Sequence, residues 1–556
     1  MSQTVAVAHD GDGEGLGNTG RAALEYRRFR TPREHGAMLV EPPLAAVPEL
    51  LATSQAGRRR YSYDVQGRSL ATLSAEARLA FLAEARRYTS SYRDVLAPAT
   101  AERILLAGHQ PQLFHVGVWF KNFALARLAR DAGAVAVNLV IDSDTLKDAS
   151  LRVPGGTVAE PTAAPVPFDA ATAELPFERR AIRDRELFAG FGRRAAATIA
   201  PFVSEPLIRR FWPMVLERSR HTDNLGACLS QARHQLEGEW GMATLELPQS
   251  RVCRLDAFNW FTAHLLAQLP RFRQVYNDAL GEYRRAQRVR GANRPVPDLA
   301  AEGPWLEAPF WVWTDADPRR RRLFALRQGG AVVFGDRAGL RVELPLTPDG
   351  DASAAVDRLA ELPARGIHLR TRALTTTLFA RLFLGDLFLH GIGGAMYDRL
   401  TDLLIGRFFG LEPTPFMVVS ATWKLPIALA GDIAEGAGRI AQTLRDMEYH
   451  PERFLGRSAA ADPTGEVAVT IAAKRRWIAT EANAANARGR CHAIREANRI
   501  LRQALAEQRS DWLAAAGRAE RQRRAEAVLG WREYAFCLYP EESLRNFLLD
   551  FLASRA

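Results

Sequence analysis

Residues 105–133 read LLAGHQPQLFHVGVWFKNFALARLARDAG, and the parsing of this stretch decides the fold. ILLAG (104–108) is short and apolar, as a buried strand is. HQPQLFHVGV (109–118) crowds two histidines, two glutamines, a proline and a glycine into one loop. WFKNFALARLARDAG (119–133) repeats apolar residues at helical spacing, and AVAVNLVIDSD (134–144) is a second strand. Strand, loop, helix and strand form a βαβ unit, which implies a parallel sheet with a right-handed crossover. Ligands of such sheets lie where strands finish and helices begin. Residues 109–118 and 142–148 stand at that end.

The same device recurs near residue 390. LFLH runs into a glycine loop, AMYDRLTDLLIGRFFG is helical, and PFMVVSA is a strand followed by Thr422, Trp423 and Lys424. The expected architecture is therefore α/β, a Rossmann-like parallel-sheet core with inserted elements and a C-terminal α-helical coiled coil. The expected divisions are a disordered tail (1–20), a helical packing segment (21–100), the first half of the core (101–155), an α-rich insertion (156–300), a small β element (301–360), the second half of the core, opening at GIHLRTRAL (361–430), helices rich in Ala, Arg and Glu (431–535), and a docking helix (536–556). Long helices of that composition suggest a coiled-coil hairpin, and with it a homodimer.

At 556 residues, 47% hydrophobic and 25% charged, the chain has an ordinary globular composition with room for about three domains. The net charge of +11 favours anionic partners. The basic runs lack interleaved stacking aromatics, so nucleic acid is not the expected partner. Four cysteines without metal-ligand spacing read as reduced structural thiols. The amino terminus lacks the pattern of a signal peptide, and no apolar run is long enough to span a bilayer. The expected location is cytoplasmic, with small-molecule substrates and no membrane.

Candidate chemistry gathers at the loops. Gly108, Gly117, Gly391, Gly393 and Gly394 allow tight turns into helices whose first N–H groups attract anions; plain turning without a ligand is the simpler alternative. His109 and His115, with Gln110, suit hydrogen bonding to a phosphate or a carboxylate, or else satisfy backbone groups. His390 closes the other loop. Asp142 and Asp144 end a strand and suit an amine, a ribose hydroxyl or Mg²⁺. No structural metal is expected. Of the four lysines, Lys121, Lys147 and Lys424 lie close to these motifs, where a compact ammonium suits phosphate. HVGV (115–118) and SATWK (420–424) resemble parts of the HxGH and lysine loops of class I synthetases and nucleotidylyltransferases.

Taken together, Gly108-His109-Gln110, Asp142-Ser143-Asp144, HLRTRALTTT around Arg370, and the stretch from His390 through Gly394 to Tyr397 resemble the bacillithiol biosynthesis cysteine-adding enzymes, the cysteine ligases. Order and spacing agree from about residue 100 to 550. The resemblance implies a core related to class I synthetases, a dimerising coiled coil, and amide formation between cysteine and a glucosamine-malate acceptor. The chemistry of the loops and lysines assigns catalysis to His109, His115, Lys121 and Lys424. Binding of the substrate or of an adenine nucleotide, ATP or ADP, falls to Gly108, Gln110, Gly117, Asp142, Asp144, Arg370, His390, Gly391, Gly393, Gly394 and Tyr397, with Mg²⁺ left open. His109, Ser143 and Gly394 replace a family glutamine, histidine and glutamate. These departures keep two other readings in view, a non-catalytic binding scaffold and a nucleotidylyltransferase acting on another acceptor.

Overall fold

The structure, a computed structural model, describes residues 29–98, 100–289, 291, 296–427 and 433–553; the tail anticipated over residues 1–20 lies outside them. The central sheet contains β1 (Met38–Glu41), β2 (Ile104–His109), β3 (Val135–Val140), β4 (Leu245–Pro248), β5 (Leu387–His390) and β6 (Phe416–Ala421). Its spatial order is β1-β6-β5-β2-β3-β4. β2 to β6 are mutually parallel, and β1 closes the β6 edge antiparallel. The chain therefore lays β3 and β4 to one side of β2, then returns to lay β5 and β6 on the other. The direction of winding reverses between β2 and β5.

Alternation along the strands feeds two cores. Leu105, Ala107, Leu387, Leu389, Met417 and Val419 face one; Ile104, Leu106 and Phe388 face the other. The principal helices are α1 (Leu70–Ser90), α2 (Val116–Asp131), α3 (Leu225–Glu239), α4 (Ile392–Leu404), α5 (Ile433–Tyr449), α6 (Glu466–Ala479), α7 (Ala487–Gln503), α8 (Ala506–Leu529) and α9 (Glu541–Ala553). α2, α3 and α9 cover the first face, and α1 and α4 the second. α2 is apolar nearly all round because α9 lies on its outer side, where Phe551 meets Phe120 at 4.6 Å between ring centroids. Burying each such aromatic contributes about 1.5–3 kcal/mol relative to exposure. The carboxyl-terminal chain also crosses the start of α2: Phe536 donates its N–H to the Phe114 carbonyl at 2.9 Å, and its ring lies 4.3 Å from that of Trp119.

Three features depart from the sequence reading. Ile367–Thr371, expected to open the second half of the parallel sheet, pairs antiparallel with Trp305–Thr314 instead. It completes a second, wholly antiparallel sheet with Arg321–Gln328, Ala331–Gly335 and Val342–Leu344. The segment expected as an α-rich insertion supplies β4, a fifth parallel strand of only four residues, too short for periodicity to reveal. Residues 433–529 form several helices rather than a single hairpin. α5 packs on α8 and α6 on α7, around Met447, Leu455, Ile471, Leu501 and Leu505. Among the described residues no helix is long and apolar enough to cross a membrane.

Candidate functional site

The winding reverses between β2 and β5, and it is at the carboxyl ends of the strands flanking such a point that open parallel sheets form the crevice that binds ligands. Leu389 pairs with Ala107, so His390 stands level with Gly108 across it. On the β2 side, Lys121 reaches back from α2 to donate to the Gly108 carbonyl. Its side chain is only 2% exposed. Burial, helped by the Arg233 guanidinium, pushes its ammonium down to about 7. Burial and Lys121 together hold His109 down to about 3, so its imidazole is neutral at physiological pH. His109 packs edge-on to Phe114 at 5.1 Å.

On the β5 side, His390 Nε2 lies 2.8 Å from Asp398 Oδ2. A carboxylate only accepts, so Nε2 carries a proton in this pair. Burial alone would raise Asp398, but Arg381 and His390 outweigh it and hold the carboxyl well below the usual range. Arg381 reaches Asp398 at 3.0 Å and Asp402 at 2.6 Å. Gly391 precedes the first turn of α4. Side chains added at Gly391 or Gly393 would meet nothing within 4 Å, whereas a Cβ at Gly394 would stand 2.7 Å from His390 Nδ1. The two open glycines leave room for a ligand, and Gly394 lets the imidazole lie against the helix. Tyr397 belongs to α4; its side chain is outside what the structure describes.

The acidic strand end is already engaged. Asp144 accepts from Gln110 Nε2 and from Arg320, each at 2.8 Å. Asp142 accepts the Ser250 N–H at 2.9 Å and its hydroxyl as well. Burial and the neighbouring Glu178 push the Asp142 carboxyl up. Arg370, expected to contact substrate, instead grips Glu178 through two 2.7 Å bonds and is 1% exposed. It joins the second sheet to the rim of the first. Among the described residues no group of three or more His, Cys, Asp or Glu side chains is arranged to hold a metal.

Two other expectations resolve as structure. His115 caps α2: its Nδ1 accepts the Gly117 N–H at 3.0 Å, and burial followed by Arg532 pushes it down to about 4. Gly117 is small because a Cβ there would collide with the Ala421 carbonyl and come within 2.7 Å of Arg532. Its close approach is to β6 rather than to a ligand. Lys424 lies past the end of β6, away from the crevice, in a separate cleft.

The sequence reading did not single out Asp398, Arg381, Glu178, Ser250 or Arg320. Asp398 carries the clearest missed signal, a carboxylate eight residues after a strand-end histidine inside the apolar helix AMYDRLTDLL. A deeper polar cluster braces the same edge: Arg233 bonds Glu237 at 2.6 Å and also Glu246, while Trp119 and Asn122 donate to Glu237 at 2.7 and 2.8 Å. It ties α2, α3 and β4 together.

The chain matches no protein-family model, and no curated protein is significantly similar to it. Chemically, the adjoining strand ends carry an imidazole held by a carboxylate on the face of Phe388 and, on the face of Phe114, a neutral histidine with a buried lysine behind it.

Proposed function

We propose that this protein is a ligase-like enzyme of the kind represented by the bacillithiol cysteine-adding enzymes. Its core is Rossmann-like, and its carboxyl-terminal helices form a coiled coil that pairs two copies. It joins cysteine or another amino acid to a small sugar-linked amine through an amide bond, with ATP, ADP or another anionic substrate on the carboxyl edge of the sheet. One observation carries this reading. The parallel strands wind outward from β2 in the order 3-2-1-4-5, that of dinucleotide-binding sheets, and the reversal point is flanked by His109 and by the His390–Asp398 pair.

Amide formation needs a carboxyl group whose oxygen leaves on a phosphoryl or adenylyl group taken from ATP, and an amine that loses a proton as it attacks. In this reading His390, with Nε2 held by Asp398, is the group that takes the proton, an arrangement in which a carboxylate orients a general base. Lys121 and the first turn of α4 offer positive charge to an oxyanion. Asp142 and Asp144 are taken by Ser250, Gln110 and Arg320, so Mg²⁺ enters with a nucleotide rather than on a protein ligand set.

The test is direct. Purified protein is mixed with single amino acids, glucosaminyl malate and ATP, and the products are weighed by mass spectrometry. An amide product that disappears in His390→Gln supports the reading; no condensed product with any amino acid discards it. The engagement of His115 as a helix cap favours a second reading, a non-catalytic metabolite-binding scaffold. In that case calorimetry shows ligand binding without turnover. The same engagement counts against a nucleotidylyltransferase built on HVGV.

A further inference from the structure

Past the end of β6 the chain turns through Thr422, Trp423 and Lys424, and a cleft of about 890 Å³ opens there. Three distant stretches wall it: residues 29–33, the turn itself, and Gly530 with Arg532 just after α8. Among the described residues that line it four are cationic, Arg30, Arg33, Lys424 and Arg532, and none is acidic. Among the described residues none of the four is ion-paired. Glu533, exposed and next in sequence to Arg532, acts on that guanidinium without lining the cleft.

The walls are fixed in advance. Thr422 donates its hydroxyl to the Pro32 carbonyl at 2.6 Å, and its backbone bonds Gly36 and Ala37 at 2.8 and 2.9 Å. The Lys424 N–H donates to His35 Nδ1 at 3.1 Å, and the His35 ring rests on Trp423 at 4.0 Å. Trp423 in turn stacks on Phe547 of α9 at 4.4 Å. Arg532 Nη2 donates to the Ala421 carbonyl at 2.9 Å, while its buried Nε has no partner. These contacts position the cationic residues without neutralising them.

Arg532 is partly buried where it lines the cleft, and burial of a cation is costly. Burial lowers both His35 and Arg532, with Lys424 adding to the effect on His35. A multiply charged anion offsets both terms at once. Guanidinium forks suit paired oxygens and the ammonium serves as a point charge. The volume matches that of ordinary small-molecule sites, and walls from three segments confine the ligand where an extended polymer would need an open track.

We propose that this cleft binds a multiply charged phosphate chain, the di- or triphosphate of a nucleotide or free pyrophosphate, held by Arg33, Lys424 and Arg532. The proposal rests on reading the carboxyl edge as the ligand side. It places the phosphates beyond β6 rather than between the glycine loops of β2 and β5.

Pyrophosphate, ADP and adenosine are titrated by calorimetry into the full chain. Pyrophosphate and ADP are expected to bind and to compete, adenosine to do neither, and affinity to fall steeply between about 50 and about 300 mM salt. Arg33→Glu and Lys424→Gln should each weaken both anions about tenfold or more, whereas His390→Gln leaves them unchanged. Arg33 is exposed, so its variant tests the site without threatening the fold. Absence of pyrophosphate binding at millimolar concentration, or equal binding by wild type and Arg33→Glu, overturns the proposal. Binding lost only in His390→Gln moves the anion to the crevice and overturns it while the ligase reading stands. Binding that maps to Arg33 and Lys424 without amide formation upholds the cleft and removes the ligase reading.

Discussion

His390 and Asp398 are joined by a 2.8 Å hydrogen bond from Nε2 to Oδ2, and the carboxylate is also bound by Arg381 at 3.0 Å. Asp398 is wholly buried, so its charge balances Arg381 as well as orienting the histidine. Asp398→Asn should cost about 3–5 kcal/mol, because it strands part of a buried guanidinium charge. Urea denaturation checks this. His390→Gln removes the base but not the ion pair, and is expected to fold while lowering turnover about 10²–10⁴-fold.

Gly117 and Gly391 give opposite expectations. Gly117→Ala forces a methyl group against the Ala421 backbone, with Arg532 at 2.7 Å, and should destabilise by about 1–3 kcal/mol. Gly391→Ala meets nothing within 4 Å and should leave stability within about 1 kcal/mol. Any loss in Gly391→Ala should appear instead in substrate affinity. Equal thermal shifts for the two variants would contradict the packing described for the start of α2.

His115→Ala should cost about 1 kcal/mol through the lost cap on Gly117, and His115→Asn, a good capping residue, should restore most of it. Turnover per folded molecule should not change. A large kinetic defect that Asn fails to rescue would return His115 to the reacting groups.

His264 sets a pH dependence. It is 3% exposed, bonded to Tyr63 at 2.8 Å and to Gln66 at 3.2 Å, and burial followed by Arg271 pushes it from 6.5 down to about 4. Below pH 6.5 the unfolded chain binds a proton that the folded chain refuses until about pH 4. Its contribution, on the order of 3 kcal/mol, is therefore complete above pH 6.5 and lost as the pH falls toward 4. Unfolding free energies at pH 7 and pH 4.5 should show the fall, with a smaller drop in His264→Gln.

The βαβ unit of residues 104–140 was legible because each of its elements has a strong period and a distinct loop. The return at LFLH, its glycine loop and PFMVVSA were legible for the same reason. β4 was hidden by its length, and β1 by its place as an antiparallel edge partner of a strand more than 370 residues away. The outcome at the site follows the same logic. Loop position indicated His109 and His390, but partners such as Asp398 of α4, and Glu178 and Arg320 of turns, are brought in by an arrangement only the tertiary fold decides. Lys121 read as an ammonium open to a phosphate. It is buried because α9 and the sheet leave α2 no wet face near its start.

The bond from Phe536 to Phe114 has a consequence for how the molecule is made. α2 leaves the ribosome early, yet the rings that cover Trp119 and Phe120 belong to residues near 540. At roughly 5–20 residues per second, on the order of twenty seconds or more of synthesis separates the two. Throughout that interval the outer side of α2 has no cover. Folding of this half is thus completed only once residues 536–551 have emerged.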